Sequence, residues 1–203
     1  MTGYFGLEYS PSDEFYLALH HLVGPEQDGV SAGLRNMFDL VMIVNPPAVP
    51  RLTLTTNWDI GAESDARVQG DTFDERVLGG PGEAFWTGIA QYVTYRLGPD
   101  ERPEDLAVTF RADWFADPHG SRTFDFYESS GHPGHHFDFT LGLNWNPRIL
   151  RGDGYYYAPV IIRPEVRYDY FAGGGAASNI EQPFQARTSR HQMTVALSTV
   201  IKF

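Results

Sequence analysis

Charged residues recur at every second position in several segments of the chain, and this spacing carries most of the chemistry that the sequence offers. In an extended strand, side chains two residues apart point to the same side. Guanidinium and carboxylate groups spaced in this way would line one face of a sheet, where they could attract and sort ions and polar solutes. The residues that follow the pattern are Arg111, Asp113, Asp138, Arg163, Glu165, Arg167 and Asp169.

A purely structural role is the alternative for the same residues. Arg163, Glu165 and Arg167 could form a cross-strand ion-pair ladder that only stabilises the wall of the fold. The two interpretations are compatible, because a charged wall also focuses ions and filters solutes. We therefore keep all seven residues as candidate pore-lining residues.

Metal binding is the first competing hypothesis. His132, His135 and His136 supply imidazoles, but their spacing matches no established metal site, and the intervening Pro133 and Gly134 are typical of a loop. Carboxylates of one predicted external loop could bridge Ca²⁺, although a solvated acidic loop is the simpler interpretation. These carboxylates belong to Glu63, Asp65, Asp71, Asp74 and Glu75. We expect no metal site and no cofactor.

Catalysis and nucleic-acid binding are also disfavoured. Ser198, His136 and Asp138 are residue types that a hydrolase or acyltransferase uses, but no spacing joins them into a recognisable constellation. The absence of cysteine excludes a thiol nucleophile and a disulfide framework. A formal net charge of -11 opposes binding to a phosphate backbone. We expect neither an enzyme nor a nucleic-acid partner.

Alternation of apolar and polar residues predicts the strands that position the charged groups. It is clearest over residues 51–60, 106–114, 136–145, 160–170 and 192–203. Weaker strands are predicted at residues 4–10, 14–24, 35–45 and 84–97, with Gln91 and His21 interrupting an apolar face. The apolar runs are too short for a membrane helix, which needs about 20 residues. The sequence predicts an all-β, antiparallel, up-and-down fold of about nine strands.

The pattern further predicts a transmembrane β-barrel in a bacterial outer membrane. A midplane Arg or Lys that faces lipid costs about 2 to 4 kcal/mol, so the charged side must line the lumen and the apolar side must face lipid. Aromatic residues make up 14% of the chain, and several strands end in Trp or Tyr, as expected at a membrane interface. Predicted connections also alternate between short and long, as periplasmic turns and external loops do.

Several motifs resemble the beta-barrel porin-2 family, also called OmpL-like. The most specific are FWTGIAQYVTYRL at residues 85–97 and LAVTFRADWFADPHGSRT at residues 106–123. Further similarity lies in YSPSDE at residues 9–14, GPEQ at 24–27, GLNWNP at 142–147, RPEVRYD at 163–169 and the terminal strand. The resemblance covers essentially the whole chain and implies a porin-like barrel, while the solutes of the family are largely undefined.

The length of the chain bears on whether the barrel is whole. Bacterial single-chain barrels have an even number of strands, so an odd count predicts that at least one strand lies upstream. Family members are typically longer, which implies that residues 1–203 form one domain corresponding to their C-terminal part. Residues 1–6 show no export signal, so we expect either that the signal has been removed or that upstream sequence is missing. The alternatives are a miscounted strand and a barrel assembled from several copies of the chain.

The expected function is passive passage of small polar or charged solutes. The expected partners are outer-membrane lipid, these solutes and the outer-membrane assembly machinery, which would read the terminal strand that ends at Phe203. Two alternatives remain open. One is a structural or adhesive barrel that acts through long acidic external loops, and the other is a soluble β-barrel or sandwich, which the outward aromatic face disfavours.

Overall fold

Nine strands make up the fold in the computed structural model, which describes residues 1–25, 33–67, 81–100, 103–123, 132–147, 160–173, 183–184 and 188–201. They are β1 (Gly3–Ser12), β2 (Phe15–Gly24), β3 (Arg35–Val44), β4 (Leu52–Arg67), β5 (Pro81–Arg96), β6 (Leu106–Asp117), β7 (Gly134–Trp145), β8 (Val160–Gly173) and β9 (His191–Ile201). One 3-10 turn, Pro103–Asp105, precedes β6. No helix in this part of the chain is long and apolar enough to cross a membrane.

The strands form one sheet in which each strand pairs with the next, always antiparallel. The predicted all-β, up-and-down architecture is therefore confirmed, and each of the nine predicted segments is a strand. Because direction alternates along the sheet, β1 and β9 run the same way. The sheet is open in the described residues, since no pairing joins β1 to β9.

The connections divide between two ends of the sheet. We call the end that carries the connections at residues 13–14, 45–51, 97–105 and 146–159 the turn end. The opposite end, which we call the loop end, carries the connections at residues 25–34, 68–80, 118–133 and 174–190. This division agrees with the predicted alternation between shorter and longer connections.

The register separates the side chains into two faces, because paired residues point to the same side of a sheet. The charged face carries every second residue of each strand, counted from the register row Tyr16, Ile43, Thr55, Tyr92, Arg111, Thr140, Arg167 and Thr194. The apolar face carries the alternate residues, and its neighbouring row is Phe15, Val44, Leu54, Val93, Phe110, Leu141, Val166 and Val195.

The apolar face is not covered by any second layer. Outside the extension of β4 and β5 beyond Glu63, no Asp, Glu, Lys or Arg takes a paired position on this face in the described strands. Large side chains lie open on it, including Leu141 at 50% exposure and Val195 at 80%. Soluble monomers rarely expose apolar surface on this scale, so this face requires an apolar solvent or a partner.

The polar residues that interrupt the predicted apolar face have local partners. His21 stacks on Phe38, with ring centroids 4.2 Å apart and planes at 11°. The hydroxyl of Thr56 donates to the side-chain oxygen of Gln91 at 2.6 Å, and the Gln91 amide donates to the Thr55 carbonyl at 3.1 Å. The hydrogen bonds of Gln91 reduce the cost of placing its amide among apolar neighbours, whereas His21 Nε2 is buried without a hydrogen-bond partner in the described residues.

Strand boundaries differ most from the prediction in β4, which continues through Arg67. Glu63 is therefore a strand residue paired with Ala84 rather than part of an external loop. Gly-Ala-Glu-Ser is typical of a loop in composition, but pairing with β5 holds the segment extended. Gly61 is required here because the Trp86 ring crosses it, and an added Cβ would lie 2.3 Å from the ring.

Candidate functional site on the charged face

All seven candidate pore-lining residues lie on the charged face. They occupy three adjacent strands: Arg111 and Asp113 on β6, Asp138 on β7, and Arg163, Glu165, Arg167 and Asp169 on β8. The register places Asp113 beside Asp138 and Asp138 beside Asp169, so three carboxylates lie side by side. Like charges in directly opposed positions destabilise a sheet unless cations offset them.

Two arginines supply those cations from the next register row. Arg111 Nε donates to Asp113 at 2.9 Å, and Arg167 Nη2 lies 2.7 Å from Asp169 Oδ1. Arg167 also contacts the carboxylate of Asp138 across the strand boundary. The side chains of Asp138 and Asp169 are only 8% and 11% exposed, so removing Arg167 would leave two nearly buried carboxylates without this cation.

The ladder alternative is correct for some residues and wrong for others. Arg167 pairs with Asp138 and Asp169, not with Glu165. Arg163 and Glu165 are exposed and form no ion pair with any residue that the structure describes. They lie nearer the turn end and remain open to a solute.

The residues line two depressions that share Arg167. The acidic depression, of about 260 Å³, is bordered by Asp113, Asp138, Asp169 and His136 and by Phe184 of the β8–β9 connection. The basic depression, of about 230 Å³, is bordered by Arg111, Arg163, Arg167 and Glu165. The charge of this wall therefore changes along the strands: it is negative toward the loop end and positive toward the turn end.

The polar lining continues onto β2, β3 and β4, where sequence reasoning identified no site. His20 Nδ1 lies 3.1 Å from Asp39, and the Asn57 amide donates to the same carboxylate. Asp59 is directly opposite Asp39 in the register. Asp39 was not selected because it lies within an apolar run, and the alternation of β2 and β3 is weak.

A second cluster at the loop end was also missed. The side chain of Glu63 is fully buried between two arginines. Arg35 Nη2 donates to its two oxygens at 3.0 and 3.2 Å, and Arg122 of the β6–β7 connection contacts it from above the sheet. Burial, together with the neighbouring Arg35, lowers the pKa of the Arg122 guanidinium, while Glu63 opposes that change.

Asp117 fixes the turn that delivers Arg122. Its buried carboxylate accepts hydrogen bonds from the backbone N–H groups of Ser121, Arg122 and Thr123 at 3.0, 2.8 and 3.0 Å. The Thr123 hydroxyl donates to it at 3.1 Å. The first part of the β6–β7 connection is thus folded over the charged face.

The competing metal and catalytic residues are not brought together. His135 lies on the apolar face, stacked on Trp114, whereas His136 is on the charged face and contacts the His132 carbonyl at 3.1 Å. No group of three or more His, Asp or Glu side chains in the described residues is arranged to hold a metal ion. Asp71, Asp74 and Glu75 lie outside those residues, as does the side chain of Asp65.

Ser198 is also far from the remaining catalytic candidates. It pairs with Arg163, whereas Asp138 pairs with Asp169, six positions further along β8. At about 3.4 Å per residue, this separation is about 20 Å. Phe203, at the end of the predicted terminal strand, lies outside the described residues.

The comparison with known families now decides the class of protein. The family model described as "Putative beta-barrel porin-2, OmpL-like" matches residues 1–203. The chain belongs to this family. No curated protein and no solved structure matches it. Membership places the chain among porin-like outer-membrane β-barrels, a class that is typically non-enzymatic, and it accounts for an apolar face that no protein layer covers.

Proposed function

We propose that the chain forms the wall of a bacterial outer-membrane channel through which small polar or charged solutes diffuse passively. The observation that carries the proposal is the division between the two faces. All seven charged residues predicted from sequence share one side of the sheet, while the other side exposes an unbroken apolar row. A closed barrel built from such a wall would surround a charged lumen and present its apolar face to lipid.

The distribution of charge on the lining also supports the proposal. An acidic depression and a basic depression follow one another along β6 to β8. Such a surface interacts with anions and cations alike and excludes apolar solutes, because the latter gain nothing for displacing water from charged groups. Passive discrimination by charge and size is what this wall supports best.

Planar-bilayer recording of the purified full-length chain tests the proposal. We expect stepwise ion conductance, and we expect proteoliposomes to swell in small neutral or charged solutes but not in large ones. The Arg167→Gln variant controls for contaminating porins, because only a conductance belonging to this chain changes its ion selectivity with that substitution. Absence of conductance from correctly inserted protein would overturn the channel and favour a barrel that acts through its external loops.

A further inference from the structure

Gly142 lies at the centre of the basic depression. On the charged face, it is flanked by Thr109 on β6 and Glu165 on β8, and by Thr140 and Asn144 along its own strand. A Cβ added to Gly142 would meet only Glu165 Cβ at 3.6 Å and the Pro164 carbonyl at 3.7 Å, which are ordinary contacts. Backbone packing therefore does not demand glycine here. Its effect is to leave a gap among charged side chains.

Three arginines border this gap. Arg111 and Arg167 direct both Nε and Nη2 toward Asp113 and Asp169, on the side away from Gly142, so that Nη1 of each remains for another partner. A guanidinium has five N–H donors, and these carboxylates occupy only part of each set. Arg163 has no ion-pair partner among the described residues. Planar forks of this kind suit bidentate contact with a carboxylate.

One carboxylate borders the same gap. Glu165 is exposed, adjoins Gly142 in the register and has no cationic partner among the described residues. A solute that complements the whole depression therefore offers carboxylate oxygen to the arginines and an ammonium group to Glu165. The volume of about 230 Å³ corresponds to about eight water molecules at about 30 Å³ each, which leaves room for a small solute together with some of its water.

We propose that the Gly142 depression is a binding subsite for small amino-acid-like solutes, in which Arg111, Arg163 and Arg167 hold the carboxylate and Glu165 holds the ammonium group. This subsite deepens the proposed channel function and rests on it for its physiological meaning. Binding at a charged, water-accessible wall is weak enough to allow release, as a passage site requires.

Equilibrium binding to the full-length chain in lipid nanodiscs tests the subsite, measured by saturation-transfer NMR with three probes. Aspartate carries carboxylate and ammonium groups, succinate carries carboxylates alone, and 1,4-diaminobutane carries ammonium groups alone. We expect aspartate to bind most tightly and succinate more weakly. Equal saturation transfer to aspartate and diaminobutane would overturn the assignment to the arginines.

Variants of the depression separate its two halves. Arg163→Gln is expected to weaken both aspartate and succinate about fivefold to tenfold, because a charge-assisted hydrogen bond is lost. Glu165→Gln is expected to weaken aspartate while leaving succinate unchanged or tighter. Arg96→Gln is the matched control, since Arg96 lies on the same face but bonds to Thr53 outside the depression. Equal losses for Arg163→Gln and Arg96→Gln would contradict the subsite.

Filling the gap gives a test that does not depend on charge. Gly142→Leu is expected to abolish aspartate binding, and Gly142→Ala, whose Cβ fits, is expected to change it by less than about twofold. Wild-type affinity in a folded Gly142→Leu protein would overturn the proposal. Conductance of the same preparations separates the two claims: binding without conductance refutes only the channel, and conductance without binding refutes only the subsite.

Discussion

The guanidinium of Arg122 lies over the indole ring of Trp86, with Cζ 4.3 Å from the ring centroid. The contact joins the β6–β7 connection to β5, and Arg122 reaches beyond it to Glu63 on β4. Trp86 in turn covers Gly61. The β6–β7 connection, which leaves the sheet after Asp117, therefore contacts β5 and β4. It covers part of the charged face at the loop end.

We expect the negative charge of Glu63 to hold the β6–β7 connection against the sheet. Glu63→Gln removes the carboxylate that pairs with two partly exposed arginines, Arg35 and Arg122, so the loss of unfolding free energy should lie between the about 1 kcal/mol of an exposed pair and the about 3 to 5 kcal/mol of a fully buried one. Urea-induced unfolding in lipid vesicles measures the decrease in the free energy of unfolding. The same substitution at the exposed Glu165 is the control, with an expected change below about 1 kcal/mol. Similar losses for the two variants would refute the buried pair.

The Asp117 carboxylate should hold the turn at residues 118–123. Asp117→Asn removes the negative charge that the N–H groups of Ser121, Arg122 and Thr123 share and replaces one acceptor oxygen with an N–H₂ group. Hydrogen bonds to charged groups contribute about 1.5 to 3 kcal/mol each, so at least one of these three amides should exchange about tenfold faster or more. Amide hydrogen exchange followed by mass spectrometry measures this. Val108 and Phe110, within the β6 ladder, should keep their protection, and general loss of protection there would indicate unfolding instead.

Ion selectivity should respond in opposite directions to opposite charges of the wall. Arg167→Gln removes the cation between Asp138 and Asp169 and should shift permeability toward cations, roughly twofold to fivefold. Asp113→Asn should shift it toward anions. Reversal potentials across a KCl gradient report both effects. A reversal potential that neither substitution moves would show that these residues do not line the conducting path.

The two faces should differ sharply in their tolerance of a new charge. Leu54 and Thr55 are adjacent on β4, but Leu54 belongs to the apolar row and Thr55 to the charged row. Leu54→Arg should destabilise the inserted protein by about 1 to 2 kcal/mol, less than the about 2 to 4 kcal/mol of a midplane position because Leu54 lies two residues from the start of β4, and Thr55→Arg should cost less than about 1 kcal/mol. The free energies of unfolding of the two variants, measured in lipid vesicles, give the comparison. A reversed order would mean that the charged face is turned toward lipid.

Local pattern was enough to determine the strands and the two faces of this protein. Side chains alternate strictly along a strand, so an apolar and a polar series can be separated without knowing which strands are neighbours. For this reason Arg111, Asp138 and Arg167 could be assigned to one face in advance. In β6 to β9 the alternation is clearest, and these segments show no periodicity typical of a helix.

Only the tertiary structure decided which charged groups meet. The alignment of Asp113, Asp138 and Asp169 depends on the registers of β6, β7 and β8, which no single segment encodes. For the same reason, the partners of Arg167 are Asp138 and Asp169 and not Glu165. The loop-end cluster was beyond sequence reasoning, because Glu63 and Arg122 are 59 positions apart and meet only when the β6–β7 connection folds over β4. Contacts between distant segments depend on how the chain folds back and packs. The alternation of residues within one strand does not determine these contacts.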